Sequence, residues 1–208
     1  MRERLLALSS TALVDALGRR GAVASAIRRL TGERLAGRAV TAACEPESVA
    51  AMFRALRTAG DGDVLCVAGG GGEFAYLGDL AGAEALRRRL AGVVVDGLVR
   101  DLEGLKRLGL TIFARGTVAV GGVAGGAGDA EVPIEIGGQF VRPGDWLLGD
   151  ADGLVVVPAE DLDAAVATAE AAAAAEAEIL ARVAGCTSLF DLDYRGRGSL
   201  GSQLDGEA

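Results

Sequence analysis

The apolar residues of this chain fall into short clusters whose spacing alternates between two periods. Ser48 to Ala59 carries Val49, Met52, Phe53 and Leu56 at helical spacing, which predicts an amphipathic helix. Ser9 to Leu17 reads as another helix, with Ser9 or Ser10 as N-cap and Gly18 or Gly21 near its end. Val64-Leu-Cys-Val-Ala68, Val93-Val-Val95 and Leu110-Thr-Ile-Phe-Ala114 are continuous apolar runs of strand length. Arg38 to Cys44 is a fourth strand, and Gly60-Asp-Gly-Asp63 a turn. Helices are expected from Phe74 to Leu90 and from Leu102 to Leu108, the second closed by Gly109. The middle of the chain therefore reads strand–helix–strand–helix–strand with parallel connections.

After Gly116 the pattern changes. Val132–Ile136, Gln139–Val141, Trp146–Leu148 and Leu154–Val157 are short strands. Gly137-Gly138, Pro143-Gly-Asp145 and Asp150-Ala-Asp-Gly153 separate them, and this turn chemistry predicts antiparallel hairpins. Gly121 to Gly128 is expected to be a mobile loop. Ala159 to Val183 is a long alanine-rich helix with Glu160 or Asp161 in its first turn; the tail from Gly185 has no clear element until Leu204. The pattern predicts an α/β fold with a mixed parallel and antiparallel β core. Residues 1–158 form the domain, and 159–208 a helix and tail belonging to it and to its oligomer contacts.

Composition narrows the chemistry. The 208 residues carry a net charge of -8, which opposes binding to nucleic-acid backbones. No apolar run approaches the ~20 residues of a membrane span, and no secretory leader is seen, so a cytoplasmic address is expected. Cys44, Cys66 and Cys186 lack metal-site spacing; the first two read as buried free thiols. The most informative count is zero histidines. That excludes a Ser-His-Asp triad, a Cys-His pair and imidazole metal ligands. A metal would be held by oxygen, which favours Mg²⁺ or Mn²⁺.

Three stretches carry candidate chemistry. Gly69-Gly-Gly-Gly72, ahead of Gly78-Asp79-Leu80-Ala81, reads either as a flexible turn or as a backbone cradle for a small carboxylate; it is neither a Walker A loop nor a dinucleotide fingerprint. Arg100-Asp101 reads either as a surface ion pair at a helix start or as a guanidinium fork for a keto acid beside a cation-binding carboxylate. Asp96 reads as a turn residue at Gly97. Asp145, Asp150 and Asp152 read as turn chemistry rather than a metal loop, because the ligand spacing of an EF-hand is missing.

Together these stretches resemble one family. It comprises the 4-hydroxy-4-methyl-2-oxoglutarate/4-carboxy-4-hydroxy-2-oxoadipate aldolases and the related regulator of ribonuclease activity A, the RraA-like proteins. The likeness runs from about Ser10 to Pro158. It rests on Asp15-Ala-Leu-Gly, Leu35-Ala-Gly-Arg-Ala-Val-Thr41, the glycine loop to Gly78, Asp96-Gly-Leu-Val-Arg-Asp101, Phe113-Ala-Arg-Gly116, Arg142-Pro-Gly-Asp-Trp and Asp150-Ala-Asp-Gly-Leu-Val-Val-Val-Pro158. The resemblance implies a swivelling β/β/α domain, assembled as a homotrimer or as a hexamer of two trimers, with its site near a subunit interface. It implies class II pyruvate aldolase chemistry with Mg²⁺ or Mn²⁺ on a small keto-acid substrate, with oxaloacetate decarboxylation as a side activity. Arg100 would bind the pyruvyl group, Asp101 the metal, and Asp79 the metal through water. The backbone at Gly78, Leu80 and Ala81 would hold the pyruvyl carboxylate. A further acid from a neighbouring subunit would correspond to Glu176 or Glu178. The regulator branch commonly lacks the aspartate after the arginine, so Asp101 favours the enzymatic branch. The alternatives are a non-catalytic RraA-type binding protein and, from a name often given to members, a menaquinone methyltransferase.

Overall fold

In the computed structural model, residues 1–185, 187–193, 199, 201 and 204 are described. Cys186 and most of the tail toward Leu204 lie outside them.

The continuous apolar runs form the centre of the sheet, where both faces are covered. β3 (Val64–Ala68) lies between β2 (Leu35–Cys44) and β5 (Gly92–Val99), parallel to both. β6 (Ile112–Thr117) adds parallel to β5, and β1 (Arg28–Thr31) closes that edge antiparallel. β2 is longer than its apolar core suggests. Its second half, Ala39 to Ala43, pairs with β3, and its first half, Leu35 to Arg38, pairs antiparallel with β10 (Trp146–Gly149). One strand thus joins the parallel unit to the hairpin of β10 and β11 (Leu154–Val157). β8 (Ile134–Ile136) and β9 (Gln139–Val141) form the other antiparallel hairpin, as the turn residues predict.

The helices cover one face of the sheet, and the hairpin of β8 and β9 covers the other. α3 (Ala50–Thr58) packs against β2 through Ala51, Met52 and Ala55, and small residues let the backbones come close. Phe53, expected on that buried stripe, is 45% exposed, because it lies about 100° round the helix from Met52. α1 (Arg2–Ala7), α2 (Ser10–Ala16) and α6 (Leu162–Ala184) form a separate apolar cluster with β10 and β11. Ser9 is the N-cap of α2, accepting from the Ala12 amide. α6 buries Leu162, Ala165, Val166 and Ala169, all in its first half. Cys44 and Cys66 are buried free thiols, and burial pushes the Cys66 thiol up. Among the described residues no helix is long and apolar enough to cross a membrane. The architecture is a swivelling β/β/α arrangement with a mixed sheet and a long C-terminal helix.

Three expectations need correction. First, Phe74 does not begin a helix. Ala75–Leu77 is a strand, β4, parallel to the end of β5, and α4 runs only from Asp79 to Arg87. Four apolar residues between glycines suit either structure. Burial of Ala75, Tyr76 and Leu77, with Phe74 edge-on to Tyr76 at 5.4 Å, decides for the strand. Second, the chain does not turn at Asp96-Gly97. β5 runs on to Val99 with a shift of register between Val95 and Leu98, and its neighbour changes there from β3 to β4. Third, Gly121 to Gly128 is not a free loop. Val123 exchanges backbone hydrogen bonds with Glu47 and Val49 at 2.7 and 2.9 Å. The Ser48 hydroxyl donates to the Gly125 and Ala127 carbonyls at 2.9 and 3.0 Å, and Gly128–Ala130 pairs with β2 as β7.

Candidate active site

The site forms where β4 and β5 end together. The Arg100 amide donates to the Leu77 carbonyl at 2.9 Å, fixing residue 100 beside the end of β4. Asp101 then adopts the left-handed conformation (φ 57°, ψ 39°), which Asp tolerates better than most residues, and α5 (Leu102–Leu108) starts. The Asp101 side chain does not cap its own helix. Its Oδ2 turns instead to the first turn of α4, accepting from the Asp79 amide at 3.4 Å, and lies 3.3 Å from Arg100 Nε. Two helix starts therefore converge on one carboxylate. Gly78 permits this, because a Cβ there would sit 2.6 Å from Asp101 Oδ2.

Arg100 is held from the other side by the loop after β6. Ala75 bridges to Gly121, with the Ala75 amide donating to Val120 at 2.8 Å and the Gly122 amide to Ala75 at 3.0 Å. This lays Gly121 against the guanidinium, and a Cβ on Gly121 would lie 2.2 Å from Arg100 Nη1. The resulting cleft, about 150 Å³, is lined by all six residues expected at the site: Gly78, Asp79, Leu80, Ala81, Arg100 and Asp101. Its opposite wall, which sequence reasoning missed, is Val49, Met52, Phe53, Gly121, Gly122 and Ala124. No signal in the sequence marks that wall, since Phe53 fits the helical stripe with Val49, Met52 and Leu56.

The candidate carboxylate cradle lies elsewhere. The glycine loop Gly69–Gly72 does not reach Arg100. It lines a separate cavity with Asp96, Arg115 and Glu135, and the Tyr76 hydroxyl donates to the Gly71 carbonyl at 3.0 Å. Asp96 is a strand residue, ion-paired with Arg115 and accepting from the Gly137 amide at 2.6 Å. It ties β5 to β6 and to the β8–β9 turn. The acids near Pro143 are structural, as their turn chemistry implies. Asp145 accepts from the Arg142 and Ala159 amides at 2.8 and 3.1 Å. Asp150 accepts from the Ser10 amide and hydroxyl, both at 2.7 Å, and from the Asp152 amide at 3.0 Å. Burial pushes the Asp150 carboxyl up, but these bonds outweigh it and hold the carboxyl below its ordinary range. Glu176 lines a groove between α2 and α6, and Glu178 is exposed on α6; neither lines the Arg100 cleft of its own chain.

The donor set decides what the cleft can do. Among the described residues no cluster of three or more metal-ligating acids or thiols occurs. Mg²⁺ needs no such cluster, since it keeps several waters and takes one or two carboxylates plus substrate oxygens. Asp101 and Asp79 suit that coordination. Asp101 makes only long contacts, and the Asp79 carboxylate has no hydrogen-bond or ion-pair partner among the described residues. Other catalytic groups are missing from the cleft. The chain's single lysine, Lys106, pairs with Glu103 on α5 at 2.9 Å, so no lysine is placed to form a Schiff base. Burial raises the Tyr76 phenol further from a useful base. The cleft thus offers one guanidinium, two available carboxylates and the first amides of α4. The Leu80 and Ala81 amides have no intrahelical acceptor and carry the positive end of the helix dipole.

The family model described as "RraA-like: Aldolase/RraA" matches residues 10–156. A protein of Halalkalibacterium halodurans named "Putative 4-hydroxy-4-methyl-2-oxoglutarate aldolase" is 36% identical over 153 residues, covering 73% of this chain and 73% of that one. The solved structure of Streptomyces coelicolor RraAS2, described as an unusual member of the RNase ES inhibitor RraA family, superposes with a TM-score of 0.72 at 31% identity. It covers 86% of this chain and 94% of its own. A Geobacillus kaustophilus structure described as an S-adenosylmethionine:2-dimethylmenaquinone methyltransferase matches with a TM-score of 0.68 at 30% identity, covering 73% and 95%. The matched region contains every residue of the Arg100 cleft, and the chain belongs to the RraA-like family.

Proposed function

We propose that this protein is a divalent-metal-dependent pyruvate aldolase of class II. It would cleave 4-hydroxy-2-keto acids or diacids to pyruvate and a second carbonyl compound, with oxaloacetate decarboxylation as a side activity. The observation that carries the reading is Asp101. It stands beside Arg100 with its carboxylate facing the start of α4 and its acceptor capacity barely used.

The roles follow from position. The Leu80 and Ala81 amides hold the substrate carboxylate at the N-terminus of α4. Arg100 presents its guanidinium to the 2-keto oxygen, where negative charge grows as the bond beyond C3 breaks. A fixed donor at that oxygen stabilises the transition state more than the substrate, by about 3–4 kcal/mol. Mg²⁺ or Mn²⁺, held by Asp101 directly and by Asp79 through water, would supply further positive charge at the same oxygen. With no histidine in the chain, water in the cleft takes the hydroxyl proton. Oxaloacetate loses CO₂ to leave the same pyruvate enolate.

Leu80 is 84% exposed and Phe53 45% exposed at the cleft. These apolar surfaces support a homotrimer or hexamer in which another copy covers the mouth, with Glu176 or Glu178 arriving from the neighbour. The natural partners are then small keto acids and copies of the chain, and the net charge of -8 opposes nucleic acid.

The test is pyruvate release from oxaloacetate with Mg²⁺ and with EDTA. Turnover that requires the cation supports the aldolase. A protein silent under both conditions supports the second reading, a non-catalytic binding protein like the RNase ES inhibitor family of the Streptomyces relative.

A further inference from the structure

Arg100, Asp101 and Asp79 are the charged side chains of the cleft, and each faces a glycine across a gap too small for a Cβ. Gly121 does this for Arg100 and Gly78 for Asp101. The third glycine is Gly104, which lies on α5 and outside the lining of the cleft. A Cβ on Gly104 would lie 2.9 Å from both Cβ and Oδ2 of Asp79 and 3.3 Å from its Cγ. Carbon atoms pack best at about 3.5–4.0 Å, so α4 and α5 leave no room for a methyl group at that point. The three atoms nearest to such a Cβ all belong to Asp79. Backbone conformation does not ask for glycine here, because Gly104 sits inside α5 and its φ is not positive. Glycine inside a helix costs stability relative to alanine, and α5 has only seven residues over which to absorb that cost. The other glycine of this helix crossing, Gly82 on α4, would meet the Cδ2 of the buried Leu105 at 2.6 Å, so it serves core packing. Gly104 faces a half-buried carboxylate instead. Turning the Asp79 side chain would clear Oδ2 from an added methyl group but not Cβ, which moves only with the backbone. The first turn of α4 would have to shift away from α5, carrying the Asp79 amide that donates to Asp101 Oδ2 at 3.4 Å.

We propose that Gly104 is a positioning residue for the cation site. By lacking a side chain it lets Asp79 rest against α5, and so sets the spacing between the Asp79 and Asp101 carboxylates that one hydrated divalent cation would meet. Its effect on the cation passes entirely through Asp79. The proposal rests on the reading of these two aspartates as cation ligands, and the experiment separates the two.

Mn²⁺ binding to the full chain, read from the electron paramagnetic resonance signal of the free ion, tests this without turnover. Gly104→Ala should raise the Mn²⁺ Kd about tenfold, as displacing groups that orient a metal site does. Asp79→Gly removes every atom that the added methyl group would meet. It should itself weaken Mn²⁺, and adding Gly104→Ala to it should then change Kd by less than about twofold, because residues that act through one contact are not additive. Equal weakening by Gly104→Ala in both backgrounds marks a merely structural glycine and overturns the proposal, as does no weakening in the native background. Unchanged Mn²⁺ binding in Asp79→Gly also overturns it, and each of these results leaves a cation site at Asp101 standing. A native protein that binds no Mn²⁺ removes the cation reading and the proposal with it. Asp79→Glu leaves α5 unchanged and keeps the charge while moving the carboxylate, so it carries the test if Gly104→Ala does not fold. It should weaken Mn²⁺ by a similar factor, and undiminished binding would overturn the proposal.

Discussion

Two pairs of aspartates in this molecule look alike in sequence and behave differently in the fold. Asp145 and Asp150 sit beside glycines at turns, as Asp79 and Asp101 sit beside Gly78 and Arg100. Asp145 and Asp150 are 4% and 6% exposed, and each accepts from two or more donors. Their lone pairs are committed to tying β10 to the chain around it. Asp101 has a side chain 39% exposed and two contacts of 3.3 Å or longer, and Asp79 has no partner for its carboxylate among the described residues. A carboxylate that the fold has already satisfied holds structure, whereas one left open in a cleft beside an arginine is available to a ligand. Both pairs stand in turn-like sequence, so residue type and spacing alone do not separate them.

The contrast can be broken most severely at the open pair. Arg100→Lys should lower kcat/KM for pyruvate release by about 10²–10³, because a point charge cannot reproduce a planar fork. Thermal stability should be nearly unchanged, since the ion pair it loses is exposed and worth about 0–1 kcal/mol. Near-normal turnover would remove Arg100 from the chemistry. Asp101→Ala should abolish stimulation by Mg²⁺ together with activity, read as rate against metal concentration. Retained stimulation would show the metal to be held elsewhere. Gly121→Ala should cost about 10–100-fold in kcat/KM by displacing the guanidinium, as small misplacements of catalytic groups do, with kcat/KM for oxaloacetate as the readout.

At the closed pair the sign reverses, with stability falling and activity holding. Asp150→Asn should lower unfolding free energy by about 1–3 kcal/mol, measured by urea denaturation, and leave kcat within a few-fold of the parent. The pH dependence follows from the Asp150 carboxyl being held below its ordinary range. The folded state then binds fewer protons than the unfolded chain, so stability rises with pH. The contribution is fully present above the unfolded carboxylate value of about 3.9 and is lost as pH falls through the lower folded value. Asp150→Asn should flatten that acid limb, and an unchanged limb would deny Asp150 the role.

Much of this was readable from the chain because local chemistry agreed with the fold. Val64–Ala68 and Val93–Val95 are apolar on both faces and become central parallel strands. Gly137-Gly138 and Asp150-Ala-Asp-Gly153 close the hairpins they predict. The failures occur where a neighbour overrides a local signal. Asp96-Gly97 looks like a turn but is carried through as a strand irregularity, because β4 takes over pairing from β3 and Arg115 holds the side chain. Ala75–Leu77 becomes a strand only because the end of β5 is there to receive it. Gly121–Gly128 looks free but is stapled by Ala75, Glu47, Ser48 and Val49, all distant in sequence. The wall of the cleft formed by Gly78 through Ala81 with Arg100 and Asp101 was legible as motifs. The opposite wall was not, because Met52, Phe53 and Ala124 carry no chemistry of their own and acquire a role only by facing Arg100.

The central claim is that Arg100 and Asp101 together make a cation-dependent site for a pyruvate enolate. Titration calorimetry with oxalate, a stable stand-in for that enolate, tests it without turnover. Oxalate should bind the native protein with Mg²⁺, lose that binding in EDTA, and fail to bind Arg100→Lys or Asp101→Ala under either condition. Oxalate binding of equal strength in EDTA, or undiminished in Asp101→Ala, would contradict the account.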